Sequence, residues 1–331
     1  MLKIKKHILG LILILLSGSA FSQYKVAPFY THNQSPLIHF FGLQGNEGGA
    51  LLETGEFIFH NHINLVSNAS AKRFYNERVY LDGEMYRMDF SVRYGFLDWL
   101  ELGIDLPLVR HTTGGLDHLI SSWHEAFNLP GKARSQMPYN EMGYFYSFNG
   151  NKIVSLEQPS SGLGDVSLLG AFKLLNRKGH TLCLRTALKL PTGNKRQLIG
   201  SGSTDFSVQL NGTIGSVNGY RGTLFYYSGG ILFPGQGGLL EEIQRSRVGF
   251  GSLGWAFGIQ HRLVPKLQLD WNGPFYRESS TKQLGKASVQ VGFGAEFVLN
   301  PKTGFELGIV EDLVANTAPD IVIQLSFTRR L

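Results

Sequence analysis

The stretch Ser288-Val289-Gln290-Val291-Gly292-Phe293-Gly294-Ala295-Glu296-Phe297 decides the fold. In an extended chain Val289, Val291, Phe293, Ala295 and Phe297 share one side, and Ser288, Gln290, Gly292, Gly294 and Glu296 share the other. The same period of two returns in Asp320–Phe327, where Ile321, Ile323, Leu325 and Phe327 oppose Val322, Gln324 and Ser326. It returns again in Leu100–Leu108, with Glu101 and Asp105 between leucines and an isoleucine, and in the segments around Leu182–Lys189 and Phe206–Asn211. A soluble sandwich also alternates, but its strands average roughly 5–6 residues. Runs near ten match the roughly 9–11 that a tilted membrane strand needs.

Working outward, the connections divide into two kinds. Short turns fall at Phe96–Asp98, Asn176–Gly179, Val217–Gly219, Val264–Lys266 and Asn300–Thr303, and longer loops near 67–78, 111–162, 192–203, 233–246, 274–284 and 311–319. In outer-membrane barrels short turns are periplasmic and long loops extracellular. Strands then begin near Leu51, Val79, Trp99, Gly164, Thr181, Thr204, Tyr220, Val248, Lys266, Ala287, Gly304 and Asp320. The expected architecture is all-β: an antiparallel up-and-down transmembrane β-barrel of about 12 strands, within a range of roughly 10–14. Lipid offers backbone groups no partner, so the sheet has to close on itself.

The chain ends qualify this plan. Lys3, Lys5 and Lys6, the apolar run Ile8–Leu16, and Ala20 and Ser22 ahead of Gln23 have the layout of a secretory signal peptide over residues 1–22. The run is far shorter than the roughly 20 residues of a spanning helix, and no cysteine stands at the cleavage point to carry a lipid. Residues 23–50, with Pro36–Leu43, read as a periplasmic or lumenal segment, and 51–331 as the barrel. Phe327 is followed by Thr328, Arg329, Arg330 and Leu331, whereas outer-membrane strands often end on an aromatic residue, so a soluble exported all-β protein is the competing class.

Composition fits the barrel. Gly is 41 of 331 residues, aromatics reach 12%, and mean hydropathy is only −0.05, as expected where lipid-facing and lumen-facing residues alternate. The signal's three lysines account for half of the formal charge of +6, and the remaining +3 does not argue for nucleic acid, which usually leaves a clustered basic patch. Cys183 stands alone, so neither an intramolecular disulfide nor a thiolate metal cage can form.

The blocks Asn33-Gln34-Ser35-Pro36, Phe41-Gly42-Leu43, Arg93-Tyr94-Gly95, Leu100-Glu101-Leu102-Gly103, Pro107-Leu108 and Trp123-His124-Glu125-Ala126-Phe127 resemble a family known only as domain of unknown function 3187. Later blocks are Gly162-Leu163-Gly164-Asp165-Val166, Leu188-Lys189-Leu190-Pro191-Thr192-Gly193, Gly200-Ser201-Gly202-Ser203-Thr204-Asp205, Pro274-Phe275-Tyr276, Val310-Glu311-Asp312 and Ala318-Pro319-Asp320. The resemblance spans about residues 33–327 and implies fold and location, with no known reaction. The middle portion is similar, more weakly, to barrels linked to meta-pathway phenol degradation and proposed as channels for aromatic compounds.

Three sets of residues could carry function. The loop 111–162 holds an expected short helix, Asp117–Asn128, whose Trp123, His124, Glu125 and Phe127 suit a lid folded over the lumen, and Tyr139–Phe148 could extend a hairpin. His60 and His62 share one strand face, but no third ligand is nominated, so no metal is expected. Arg87, Asp89, Arg93, Glu101, Asp105, Arg185, Lys189, Asp270, Glu296 and Glu306 lie opposite the apolar face of their strands, where they fill a lumen with ion pairs or select a solute. Ser and His occur without spacing that singles out a catalytic set, and no cofactor is expected.

The first functional expectation is a passive outer-membrane channel for a small solute, apolar ones included, gated in part by the 111–162 loop. A lumen-filled structural or surface-interaction barrel and a lipid-modifying outer-membrane enzyme are the alternatives. Expected partners are the outer-membrane lipids, lipopolysaccharide and the barrel assembly machinery.

Overall fold

A computed structural model of the chain describes residues 25–118, 122, 125, 138–218, 221–258, 262–314 and 317–331. Twelve antiparallel strands form a closed wall. They are β1 (Phe57–Phe74), β2 (Glu77–Leu97), β3 (Leu100–Thr112), β7 (Ser167–Arg177), β8 (His180–Lys189), β9 (Asp205–Asn218), β10 (Arg221–Phe233), β11 (Val248–Phe257), β12 (Leu263–Asn272), β13 (Ser288–Asn300), β14 (Thr303–Asp312) and β15 (Ile321–Arg330). Each pairs with its neighbours in this order, and the ring closes where β1 meets β15 from Ile58↔Arg330 to Ser67↔Ile321. Three further strands stand above the wall. β4 (Gly143–Phe148) pairs with the start of β2, β5 (Asn151–Leu156) pairs with β4, and β6 (Ser160–Leu163) pairs with the end of β3.

The side-chain distribution reverses that of a soluble protein. On β3, Leu102, Leu106 and Leu108 are exposed while Glu101 and Asp105 are buried; on β13, Phe293 and Phe297 are exposed while Gln290 and Glu296 are buried. Leucine and phenylalanine outside, carboxylates inside, is stable only where the outer solvent is hydrocarbon. Aromatic rings edge this band. Phe57 stacks on Tyr94 and Trp99 on Phe172 at the short-turn end, while Phe206 stacks on Phe233 at the other end, where Trp271 is also exposed. Among the described residues no helix is long and apolar enough to cross a membrane.

Three expectations change. Val264–Lys266 is not a turn but lies inside β12, paired with Glu296, Ala295 and Gly294 of β13, so that strand begins at Leu263 rather than near Lys266. The segment 67–78 is not a long loop. β1 and β2 run on for 18 and 21 residues and join through Tyr75 and Asn76 alone. The small polar run Ser67-Asn68-Ala69-Ser70-Ala71 has loop composition, but neighbours hold it extended: Ser70 accepts from Gln283, and Glu77 accepts from Ser279 Oγ (2.6 Å) and Ser280 N (2.8 Å). β1 also begins at Phe57 rather than near Leu51, because Glu53–Glu56 form a turn and the Leu52 N–H is taken by the Glu101 carboxylate (2.9 Å).

Candidate functional site

The lumen is occupied by the chain's own N-terminal segment. One arm climbs beside β12. Phe29, Thr31 and Asn33 face Gln268, Asp270 and Asn272, which period-two alternation places on one face of that strand. The Phe29 N–H donates to Gln268 Oε1 (3.0 Å), Gln268 Nε2 donates to the Phe29 carbonyl (3.0 Å), and Thr31 Oγ1 donates to Asp270 Oδ2 (2.5 Å). The apex turns over Pro36–Phe40. There Tyr276 donates to the Leu37 carbonyl (2.6 Å) and Phe41 stacks on Phe275 (4.7 Å). The second arm descends beside β9, where Gly42 N donates to Asp205, Gln44 to Ser207 and Gly49 N to Thr213. A Cβ on Gly49 would lie 2.3 Å from the Thr181 carbonyl oxygen, so glycine is required where the arm grazes the wall. An irregular segment makes no ladder of its own, so the strands' polar side chains satisfy its buried backbone.

At the long-loop end this apex enters an apolar roof. Leu37, Ile38, Phe40, Phe41 and Leu43 pack with Tyr144 and Tyr146 of β4, Val154 and Leu156 of β5, and Leu198, Leu240, Phe275 and Leu284 from the loops. Loop 111–162 therefore contributes to the cover through its β4–β5 hairpin. Helical geometry is present at 117, 118, 122 and 125, and Glu125 is exposed. Trp123, His124 and Phe127 lie outside the described residues.

Below the roof the lumen is ionic. All ten charged positions singled out from the alternation project inward. Arg93 holds Asp105 (2.7 Å) and Glu47 of the segment (2.8 Å), and Arg185 holds Glu101 (2.7 Å) and reaches Glu47 (3.6 Å). Arg87 pairs with Asp89 (2.9 Å) and donates to the His39 carbonyl. Lys189 lies between Asp205 (2.8 Å) and Asp165 (3.1 Å) and donates to the Phe40 carbonyl. Glu296 and Glu306, opposite one another on β13 and β14, share Lys266 at 2.6 Å each. Asp270 is held by Thr31 and Gln268. Three of these groups contain one more carboxylate than cation.

Sequence reading missed Glu47, Lys266, Asp165 and Asp205 as partners. Lys266 was legible in principle, because Lys266, Gln268, Asp270 and Asn272 alternate once β12 begins at Leu263. Glu47 lies in irregular chain, where no period marks it.

His60 and His62 both face the lumen, stacked at 5.5 Å, with Tyr30 stacked on His62 at 4.7 Å. Among the described residues no group of His, Cys, Asp and Glu is arranged to hold a metal ion. Ser326, His62 and Asp89 lie side by side on β15, β1 and β2, with His62 Nδ1 2.9 Å from Ser326 Oγ. That order resembles a hydrolase triad. However, Arg87 Nε contacts both Asp89 oxygens, and Ser326 is buried, so the row is the polar inner face of the wall. Cavities remain between segment and wall. One of about 80 Å³ at the short-turn end is lined by Pro28, Tyr30, Glu47, His60, His62 and Lys266; others measure about 30 and 20 Å³. These have room for ordered waters.

Fold and filling together define a transmembrane β-barrel of the outer-membrane class whose lumen is packed with its own N-terminal segment. The chain belongs to the family described as protein of unknown function DUF3187, which it matches over residues 5–331. No curated protein matches it. Among solved structures it is similar to the COG4313 outer membrane channel from Pseudomonas putida F1, with TM-score 0.54 and 16% identity over 86% of this chain and 98% of that one. The NanC porin gives TM-score 0.47 and 7% identity over 83% and 100%. The Ralstonia pickettii toluene transporter TbuX gives 0.40 and 9% over 90% and 98%. The first of these likenesses establishes a shared fold.

Proposed function

We propose that the chain is a passive outer-membrane channel for a small solute, shut in this conformation by residues 26–52. The observation that carries this reading is how the segment is held. Below the roof it makes hydrogen bonds and ion pairs to lumen-facing side chains, contacts that water can replace at about 1 kcal/mol for each neutral bond and about 1.5–3 kcal/mol where a charged group takes part. The outer mouth is apolar, which suits a small apolar solute as first occupant, and the ionic groups beneath it would set selectivity by size and field without a covalent step. The β4–β5 hairpin acts as a second cover. The shared fold with an outer membrane channel agrees with this reading. The lipid-facing wall would meet outer-membrane lipid and lipopolysaccharide.

A filled barrel without a pore is favoured by the small cavities. Single-channel conductance in a planar bilayer separates the two, comparing the full chain with a variant lacking residues 27–50. Brief openings in the full chain and steady current in the variant support the channel. Silence in both, from protein whose gel migration shifts on boiling as a folded barrel's does, removes it and leaves the filled barrel.

A further inference from the structure

Two imidazoles from distant parts of the chain converge on one backbone oxygen. His39, at the apex of the lumenal segment, places Nε2 2.9 Å from the Leu198 carbonyl, and His111, near the end of β3, places Nε2 3.0 Å from it. Their rings meet edge to face at 5.5 Å. A carbonyl only accepts, so both Nε2 atoms carry hydrogen and, in neutral rings, both Nδ1 atoms are bare. His111 Nδ1 is buried without a partner, and His39 Nδ1 faces Arg87 Nη1 at 3.5 Å. Leu198 closes the one-turn helix Lys195–Gln197 in the left-handed conformation (φ 55°), and the Gln197 carbonyl accepts from Ser160 of β6. The β8–β9 loop is thereby tied to the segment's apex, to β3 and to β6 across the barrel mouth.

We propose that the His39–Leu198–His111 junction is a proton-operated latch: neutral imidazoles hold the β8–β9 loop against the apex of the lumenal segment, and protonation releases it. The purpose of the latch rests on the channel reading; its operation rests on the junction alone. A proton on His39 Nδ1 would point one N–H at another donor, Arg87. A proton on His111 Nδ1 would bury an N–H with no acceptor. Charging both would place two cations 5.5 Å apart under an apolar roof.

The groups facing the junction do not offset this. Asp89 of β2 is occupied by Arg87, and Asp165 is occupied by Lys189, the Gly193 N–H and Ser201. Asp105 is held by Arg93, His32 of the segment is itself an imidazole, and Tyr144 of β4 presents its ring to His111 at 5.4 Å. Burial, then His111 and Arg87, hold His39 well below its ordinary value. A group so depressed binds its proton more readily once released, so the latch is intact at neutral pH and weakens as pH falls below about 6.5.

The test uses the full chain. In a Cys183→Ala background, Leu198→Cys puts a thiol at a position 1% exposed and leaves the carbonyl in place. Labelling of the folded barrel by a methanethiosulfonate reagent, taken relative to free cysteine at the same pH, should be about tenfold faster near pH 5 than near pH 7.5. His39→Gln with His111→Gln keeps an N–H donor at each place and cannot titrate, so it should abolish the difference. His111→Gln alone should reduce it, should the pair fail to fold. No acceleration in acid, or full acceleration in the glutamine variants, overturns the latch. Acid-dependent labelling without any conductance supports the latch and removes the channel.

Discussion

Arg93 of β2 closes on Glu47 of the lumenal segment through two roughly parallel bonds, Nη2 to Oε1 at 2.8 Å and Nε to Oε2 at 3.0 Å, while its Nη1 holds Asp105 at 2.7 Å. One buried guanidinium thus joins the segment to the wall. Removing one member of a buried, hydrogen-bonded ion pair leaves charges uncompensated, at about 3–5 kcal/mol. Arg93→Ala should lower the unfolding free energy of the detergent-folded barrel by about 3 kcal/mol, and Glu47→Gln by less, since the amide still accepts one bond. Denaturant titration followed by gel migration checks the order. Equal effects would show that Arg93 stabilises the barrel through Glu47 alone, with nothing added by Asp105.

Two lumen clusters keep an excess carboxylate when Glu47 leaves with the segment, Asp165 and Asp205 around Lys189 and Glu296 and Glu306 around Lys266, and this bears on selectivity. If current passes once the segment is removed, cations should carry most of it. The zero-current voltage under a KCl gradient should lie toward the potassium potential, and Glu296→Gln with Glu306→Gln should move it toward zero. An anion-selective pore would mean that ions follow a path away from Lys266, Glu296 and Glu306.

The alternation that marks Ser288–Phe297 as a strand is legible because the wall separates two solvents, and every second side chain must answer to each. Inward placement of Glu101, Asp105, Glu296 and Glu306 follows from the same alternation. Their pairing does not, because Glu101 of β3 meets Arg185 of β8 over Ala171 of the intervening β7, and the register of three strands is not written in the alternation of any one. The lumenal segment is harder still. Its bonds join residues such as Phe29 and Gln268, 239 positions apart, through side chains meeting bare backbone, and no local period records such a contact. The β1–β2 hairpin hid for another reason: serine and alanine are extended there because Gln283 and the roof hold them, not because their own preference is strong.

Cys183 reports on the segment directly. Its side chain is fully buried on the inner face of β8, with the thiol 3.6 Å from the Gly48 carbonyl. A membrane-impermeant methanethiosulfonate should scarcely label the folded wild type and should label the variant lacking residues 27–50 about 100-fold faster or more, matching a seated fraction near 99%. Gly49→Val, which drives a side chain into the Thr181 carbonyl, should fall between them. Ready labelling of the wild type would show that the segment leaves the lumen without help.

At the outer mouth, the bond from Tyr276 to the Leu37 carbonyl ties the β12–β13 loop to the apex of the segment. Burial, with Tyr146 and Asp205 adding to it, pushes the Tyr276 phenol well above its ordinary value, so it remains a donor through pH about 10, where a free tyrosine ionises. Tyr276→Phe removes the donor and leaves a buried carbonyl unmet, at about 1–3 kcal/mol, while the ring stays in the roof. Phe41→Ala empties the space against Phe275 and should cost about 3–5 kcal/mol, as large-to-small changes in packed cores do. Both should raise open probability in the bilayer, Phe41→Ala more. For the wild type, raising the pH from neutral to about 9 should leave the roof unchanged, whereas acid acts through the histidines. A roof that loosens in mild alkali, measured as faster labelling at Leu198→Cys, would place the controlling group on a side chain other than Tyr276.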